Sequence, residues 1–592
     1  EGDEIEVAMH KETLGMIDDF KASHSDEVFG TDYEALVADG RYKFINKHFS
    51  VVVKRKNNDR TKMTKSDKVD RVLTHKIWGI PIFLVILFLI FHLTFSENLF
   101  FLNGFNESQN WMPSLSENEA FLVHDANGNL LNEDGEIVED AGDAAYTYGA
   151  RWLATIYDGT LNSPGVVINN IWNDMIVGDL FGLVKNGIES TGMADWAKGL
   201  INDGIIEGLA AVLSFLPPIL VLFLFFSILE DSGYMARIAF ILDRMFRKFG
   251  LSGRAFMPMI MGFGCSVPAM INTRTLADEK ERTATIRVIP FFSCGAKLPI
   301  LTAVAGAIVS YFSVGNADLI TYSMYLLGVV TAIVSVLLMR NTSLKGETPP
   351  FIMELPAYHA PQFKNLMLHL WDKTKHFVKK AFTIIVASTI VIWVLTHFSF
   401  NWTFLEDEQI NDSILAQVSM LVQPLFTPVG FGSQLGKYGW VFVVAAVAGL
   451  IAKENVIATF ATLGACLAGT GAFDFSGLDL ADETGIPAVV AMIKATGITI
   501  PALISFIAFN MTTIPCFAAV GTAKAELQDS RRYKWTLLFW ISASYLVACM
   551  VYTIGSWWWT CFIWAAAIAA VTYGVILYNK RKAKKLSTAT LA

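Results

Sequence analysis

The stretch GFGCSVPAMINTR, residues 262–274, is largely apolar, yet Gly and Pro interrupt it. In hydrocarbon every backbone N–H and C=O must be satisfied inside the protein, so an interrupted helix survives only where protein or a watery cavity covers the break. Proline also removes a backbone donor and thereby frees a carbonyl. The stretch therefore predicts a broken membrane helix whose freed carbonyls face the inside of a helical bundle.

Three further segments have the same interrupted character: PFFSCGAKLP (290–299), GLIAKEN (449–455) and NMTTIPC (510–516). Two of the four segments lie in each half of the chain. Corresponding interruptions in two halves are a sequence sign of a transporter with its substrate site near the membrane midplane. We therefore predict two gate-like repeats with interrupted or re-entrant helices.

The composition places most of the chain in lipid. Of its 592 residues 53% are hydrophobic and 17% charged, and the mean hydropathy is +0.44, whereas soluble domains have about 25% charged residues. A spanning helix needs roughly 20 mainly apolar residues. The clearest stretches of about this length are residues 77–95, 209–229, 319–338, 381–398, 535–552 and 560–578. The predicted fold class is an all-α polytopic membrane protein.

Charge predicts the orientation in the membrane, because cytoplasmic loops near spans carry an excess of Lys and Arg. Basic residues precede the first span and follow the last: Lys54, Arg55, Lys56, Arg71 and Lys76, then Lys580, Arg581, Lys582, Lys584 and Lys585. The region 97–207 has eighteen Asp or Glu against three Lys or Arg. We expect both termini to be cytoplasmic and this acidic region to lie on the outer face.

The same patterns divide the chain. The predicted parts are a cytoplasmic helical segment (1–76), a first transmembrane gate half (77–340) that includes the acidic outer region, a basic cytoplasmic loop (341–380), a second gate half (381–578) and a basic cytoplasmic tail (579–592). Residues 114–147 are acidic and rich in Gly and Asn, which indicates a loop or hairpin insertion. The phosphate-binding pattern GxxxxGK[ST] does not occur in the sequence, so we assign this chain no catalytic residue.

Sulfur near the interruptions predicts a metal pathway. Cys265, Cys294 and Cys516 all lie near prolines, and Met261 and Met511 are nearby sulfurs. Together with freed carbonyls they would replace the water shell of a soft-to-intermediate cation such as Fe²⁺, for which a loose, partial site suits passage better than a closed thiolate cage. The alternative is that these cysteines are small packing residues, which is our interpretation of Cys466, Cys549 and Cys561.

Charged side chains inside apolar segments are the remaining candidates, since intramembrane charge is rare and functional. Glu454 is predicted as an oxygen ligand or proton site, with a snorkelling residue at the interface as the alternative. Glu230 and Asp231 end the second span, where a solvated helix end is the alternative. The predicted gating residues are Pro268, Pro290, Pro299, Lys297, Lys453, Pro515, Glu230 and Asp231.

Several long motifs, in order, resemble the bacterial ferrous iron permease family FeoB. They are DRVLTHKIWGIPIF (70–83), FLPPILVLFLFFSILEDSGYMARIAFILDR (215–244), MGFGCSVPAMINTRTL (261–276), PFFSCGAKLPI (290–300), MELPAYHAP (353–361), AKENVIATF (452–460) and NMTTIPC (510–516). The resemblance covers roughly residues 30–555. Cys265 and Cys294 match the gate-motif cysteines of that family, and Cys516 matches the cysteine of its late Pro-Cys motif.

The resemblance implies Fe²⁺ uptake across the bacterial inner membrane, with Fe²⁺ as the substrate. It also implies a GTPase domain, using GTP and Mg²⁺, upstream of this chain, and small accessory proteins of the FeoA and FeoC type. Residues 1–76 resemble the end of the regulatory helical region. No nucleic-acid partner is expected, and a homo-oligomer is left open.

Three other functions compete with this interpretation. A transporter for another divalent metal such as Mn²⁺ would use similar ligands, and a nucleoside-type carrier would enclose its solute with similar gate segments. A membrane receptor or scaffold would not need interruptions in both halves. The sequence does not distinguish a channel from a pump.

Overall fold

The computed structural model describes residues 33–49, 65–96, 161–344, 361–405, 412–469 and 485–571, apart from 76–77, 215, 452 and 454, together with a few short segments elsewhere. These residues are almost entirely helical. A two-stranded antiparallel hairpin pairs β1, Leu130–Leu131, with β2, Ile137–Val138, within the segment predicted as a loop or hairpin insertion. The rest of that insertion lies largely outside the described residues.

In the described part of the chain, fourteen α-helices precede residue 342. They are α1 Tyr33–Phe49, α2 Lys65–Leu73, α3 Gly79–Phe95, α4 Pro164–Asn170, α5 Asp179–Glu189, α6 Asp195–Gly199, α7 Glu207–Ser214, α8 Leu216–Asp231, α9 Tyr234–Lys248, α10 Phe256–Gly264, α11 Ser266–Asn272, α12 Glu279–Val288, α13 Leu298–Phe312 and α14 Ala317–Asn341. Two π-helical segments, Ile171–Gly178 and Leu200–Ile206, join α4 to α5 and α6 to α7.

The described part of the second half is also helical. They are α15 Phe363–His397, α16 Ile414–Val422, α17 Trp440–Ile451, α18 Asn455–Gly469, α19 Ile486–Thr496, α20 Ile500–Thr512, α21 Phe517–Leu527, α22 Ser530–Ser556 and α23 Thr560–Val571. The 3₁₀ turns Gln423–Val429 and Ser433–Tyr438 lie between α16 and α17.

By length and composition, four segments of the described chain qualify to cross a membrane. They are Glu279–Phe312, Ala317–Asn341, Ile500–Leu527 and Ser530–Ser556. A fifth qualifies if α8 and the start of α9, whose axes meet at a bend of 77°, are counted together. Gly233 makes this bend with a φ of +78°, a conformation that glycine adopts without steric cost. The chain is therefore a multi-pass membrane protein.

The predicted spans compare with these helices as follows. Residues 319–338 and 535–552 lie inside α14 and α22, and the whole 17-residue helix α3 lies within the predicted stretch 77–95. Residues 381–398 are the end of a longer helix, because α15 begins at Phe363. Half of the segment predicted as the loop 341–380 is therefore helix, and no Gly or Pro occurs between residues 362 and 397 to interrupt it.

The two halves repeat one local pattern. Cys265 precedes the short helix α11, and Cys516 precedes α21. Thirteen residues after each cysteine stands an aspartate, Asp278 or Asp529, that caps the next helix by accepting backbone hydrogen bonds. The order of break, short helix, capping Asp and longer helix thus supports the prediction of two related gate segments.

The halves interleave instead of packing as separate bodies. Ala519 of α21 and Trp540 of α22 are fully buried in a cluster with Phe83 and Ile238 of the first half. Conversely, Ile300 of α13 lies in a cluster with Phe506 and other residues of the second half. This exchange places the interrupted segments at the interface between the halves.

Candidate functional site

The first break lies at Cys265. Helix α10 ends at Gly264, and Cys265 is extended, with φ −155° and ψ 131°. Its N–H donates to the carbonyl of Met261 at 3.0 Å. Pro268 follows in the first turn of α11, where a backbone N–H has no partner within the helix. The cysteine side chain is half-buried.

The second break separates α12 from α13. After α12 a 3₁₀ turn, Ile289–Phe291, contains Pro290, and Cys294 is extended at φ −87° and ψ 165°. A second 3₁₀ turn, Gly295–Lys297, leads into α13, whose second residue is Pro299. The chain is thus unwound for about two turns inside a segment that qualifies as one span.

The second half contains the other two breaks. Helix α20 ends at Thr512, and Pro515 and Cys516 precede α21. Helix α17 ends at Ile451 and α18 begins at Asn455. Lys453 between them is 1% exposed, whereas Glu454 lies outside the described residues. All four predicted interruptions are therefore confirmed.

Lys297 joins the second break to the fourth. Its ammonium Nζ donates to the carbonyl oxygen of Pro290 at 2.6 Å and to that of Met511 at 2.5 Å. The side chain is 2% exposed. Cys294 and Cys516 both lie within electrostatic range of this ammonium. These five residues, Pro290, Cys294, Lys297, Met511 and Cys516, are called the junction below.

The first and third breaks adjoin the junction. A Cβ at Gly262 would lie 3.3 Å from the carbonyl oxygen of Ile289, and the rings of Phe263 and Phe292 are 5.0 Å apart. On the other side, a Cβ at Gly449 would lie 2.8 Å from Oδ1 of Asn510, the neighbour of Met511. The four breaks therefore form one contiguous chain of contacts.

Two neighbours of the junction, Tyr325 and Asn510, were not among the predicted site residues. Met511 contributes its carbonyl, and its sulfur accepts a hydrogen bond from Ser293 at 3.5 Å. Tyr325 of α14 also hydrogen-bonds to Ser293. Asn510 is fully buried, and its Oδ1 accepts no hydrogen bond within the described part of the chain. Met511 and Asn510 have a sequence signal, since both stand in the interrupted segment 510–516; Tyr325, on an unbroken helix, has none.

Other predicted residues lie away from these contacts or are otherwise engaged. The sulfur of Met261 accepts a hydrogen bond from Asn272 at 2.9 Å. Glu230, exposed, and Asp231, half-buried, end α8. Glu230 lies about 12 Å along that helix from Leu222, which packs against Gly264. A gating role for the two acidic residues remains a prediction.

The junction has the chemistry of a partial cation site. Pro290 and Met511 present carbonyl oxygens near helix C-termini, where the helix dipole is negative, and Cys294 and Cys516 add two sulfurs. Within the described residues, no group of three His, Cys, Asp or Glu side chains is close enough to hold a metal ion. Carbonyl oxygens and sulfurs can both coordinate a cation, so the junction is a candidate cation site.

A second polar cluster joins α2 to α9. Arg237, 1% exposed, forms an ion pair with Asp70 at 2.5 Å, and its guanidinium lies 3.7 Å from the ring centroid of Tyr358. The Tyr358 hydroxyl donates to Oδ1 of Asp70 at 2.9 Å. Burial, and then this hydrogen bond, raise the pKa of Tyr358 above its ordinary value, so the phenol remains a donor at neutral pH.

Two family models match the chain. The Gate model, described as nucleoside recognition, matches residues 212–308 and 378–530, and the model for the ferrous iron transport protein B C terminus matches residues 321–373. All four breaks lie within the Gate segments, one pair in each. This arrangement agrees with the predicted repeats.

Curated relatives carry the name Fe(2+) transporter FeoB. The protein of Staphylococcus aureus is 31% identical over 84% of this chain and 60% of its own length. That of Campylobacter jejuni is 32% identical over 85% of the chain and 67% of its own length, and that of Methanocaldococcus jannaschii is 36% identical over 64% and 52%. The chain thus spans about 60% of the Staphylococcus relative. On this similarity, and with both Gate segments in place, the chain belongs to the FeoB family.

Proposed function

We propose that the chain forms the membrane pathway of a transporter that takes up Fe²⁺. The observation that carries this proposal is the meeting of helix breaks at the junction, where two carbonyl oxygens accept from one ammonium and two cysteines lie within its electrostatic range. The names of the matched relatives supply the identity of the ion. Fe²⁺ passes as substrate, and it exchanges its water for oxygen and sulfur ligands while it crosses.

Three cysteines are assigned to the pathway. Cys294 and Cys516 lie at the junction, and Cys265 lies in the adjoining first break. A serine at any of these positions keeps the size but replaces a soft sulfur ligand by a neutral hydroxyl, which a borderline metal prefers less.

The test is Fe²⁺ uptake into sealed proteoliposomes under anaerobic, reducing conditions. We expect Cys265→Ser, Cys294→Ser and Cys516→Ser each to lower the initial rate by about tenfold or more, the kinetic equivalent of about 1.4 kcal/mol. Cys549→Ser and Cys561→Ser are the matched controls, because these cysteines are also half-buried and lie on α22 and α23. Full uptake by all three pathway variants would refute the ligand assignment.

A nucleoside carrier is the second candidate, and the description of the Gate model favours it. The same vesicles distinguish the two functions, because labelled nucleoside entry without Fe²⁺ entry would refute iron transport. Mn²⁺ is the third candidate, and competition of Mn²⁺ against Fe²⁺ at equal concentration measures that selectivity directly.

The wider setting extends the same proposal. The FeoB relationship supports a location in a bacterial cytoplasmic membrane, and the charge pattern supports a cytoplasmic position of both termini. The FeoB relationship supports regulation or driving by a GTPase domain and contact with small accessory proteins of the FeoA and FeoC type. Uptake measured with and without such a GTPase domain, in the presence of GTP and Mg²⁺, tests the coupling.

A further inference from the structure

Lys297 occupies the place that the junction offers to a cation. Its Nζ lies 2.6 Å from the carbonyl of Pro290 and 2.5 Å from that of Met511. The first carbonyl belongs to the turn that ends α12, and the second to the last turn of α20. Two helix C-termini thus direct their negative ends at one ammonium group.

The backbone explains why a positive charge is needed there. Both carbonyls belong to interrupted helices and would otherwise be buried without a donor, which is costly away from water. Lys297 is the N-cap residue of α13, and a cation is unfavourable at a helix N-terminus. The carbonyls of the two other helices therefore hold the ammonium, and its own helix does not.

Three further residues add polar atoms to this region. Cys294 and Cys516 lie within electrostatic range of the ammonium. Oδ1 of Asn510, the residue before Met511, is fully buried and accepts no hydrogen bond among the described residues. The two carbonyl oxygens and the two sulfurs already outnumber the three N–H donors of the Lys297 ammonium.

We propose that the Lys297 ammonium is a built-in competitor of the transported cation: it fills the carbonyl site of Pro290 and Met511 in the closed pathway and leaves when a divalent ion enters. Both groups are cationic and bind the same oxygens, so they cannot occupy the site together. Lys297 thereby weakens ion binding, and release on the far side follows when the ammonium returns. This inference rests on the proposed function, because it assumes that Fe²⁺ reaches the junction.

The test is Fe²⁺ binding to the whole chain in detergent, measured by anaerobic equilibrium dialysis. Lys297→Leu removes the charge and adds no ligand, so its affinity is expected to rise by about tenfold or more. Lys297→Arg keeps a cation and is expected to bind as weakly as the wild type. Lys494→Leu, at an exposed lysine of α19, is the control and should leave the affinity unchanged.

The outcomes separate this inference from the proposed function. If the wild type binds no Fe²⁺, the proposed function itself is wrong. If the wild type binds Fe²⁺ and a folded Lys297→Leu variant binds with equal or lower affinity, only the competitor role is wrong.

A measurement on the wild type covers the case in which Lys297→Leu does not fold. Reductive methylation, followed by peptide mass spectrometry, reports how accessible each lysine is. Saturating Fe²⁺ is expected to increase labelling of Lys297 several-fold relative to Lys494, whereas equimolar Mg²⁺ should not. Labelling of Lys297 that does not change with Fe²⁺ would overturn the proposal.

Discussion

At the scale of single residues, buried charges in this protein are held by specific partners. Lys297 is held by two carbonyls, and Arg237 by Asp70, the carbonyl of Gly233 and the ring of Tyr358. A buried ion pair is weak evidence for stability, but breaking one is costly because it leaves the other charge uncompensated. These residues are therefore sensitive to substitution.

Asp70→Asn tests this sensitivity. The change leaves the guanidinium of Arg237, 1% exposed, without a counter-ion, so we expect the free energy of unfolding to fall by about 3 kcal/mol. Thermal unfolding in detergent measures the loss. Glu279→Gln is the control, because Glu279 and its partner Arg532 are 66% and 37% exposed and such a pair contributes less than about 1 kcal/mol. Equal melting temperatures for Asp70→Asn and the wild type would contradict the prediction.

At the scale of elements, the breaks need close backbone contacts to hold their shape. Helix α14 lies directly against the 3₁₀ turn Ile289–Phe291, because a Cβ at Gly328 would lie only 2.4 Å from the carbonyl oxygen of Phe291. The neighbouring carbonyl of Pro290 accepts from Lys297. Gly328 therefore controls how closely an unbroken helix supports the junction.

Gly328→Ala is expected to displace α14 from that turn. Overpacking of this kind costs about 1–3 kcal/mol, and the shift of Pro290 should also slow Fe²⁺ uptake in vesicles. Gly187→Ala is the matched control, since nothing lies within 4 Å of a Cβ there, and an alanine in a helix is favoured by up to about 1 kcal/mol. A Gly328→Ala protein with normal melting and uptake would show that the contact is dispensable.

At the scale of the whole molecule, the two halves are joined by ion pairs as well as by apolar packing. Glu526 of α21, whose side chain is 3% exposed, accepts hydrogen bonds from Arg274 and Arg282 of the first half. Its hydrogen bond and charge raise the pKa of Arg274, so this guanidinium stays charged. Arg532 pairs with Glu279 across the same interface. These ion pairs thus hold the two halves together at the interface that contains the junction. They lie close to the helix-capping residues Asp278 and Asp529.

The orientation in the membrane is a property of the whole chain. The excess of basic residues before the first and after the last span predicts that both ends face the cytoplasm. A green fluorescent protein fused after Ala592 should therefore fluoresce in cells, whereas an alkaline phosphatase at that position should be inactive. A phosphatase fused within 97–207 should be active. The opposite pattern of fluorescence and phosphatase activity would contradict the predicted orientation of the chain in the membrane.

The sequence by itself determined that the chain crosses a membrane and where its helices break, because hydropathy and proline act locally. The sequence pattern also predicted Cys294, Lys297 and Cys516 as site residues. It did not indicate that Pro290 and Met511, far apart in the chain, share one ammonium. Nor did it indicate that Asp70, Arg237 and Tyr358, taken from three separate motifs, form one cluster.

Only the tertiary structure decided those partnerships. The physical reason is that a break fixes which carbonyls are free, but the packing of distant helices decides which donor satisfies them. The interleaving of α13 and α21 with the opposite halves brings the second and fourth breaks together. The local pattern therefore predicted the candidate residues, and the long-range packing decided which of them lie together.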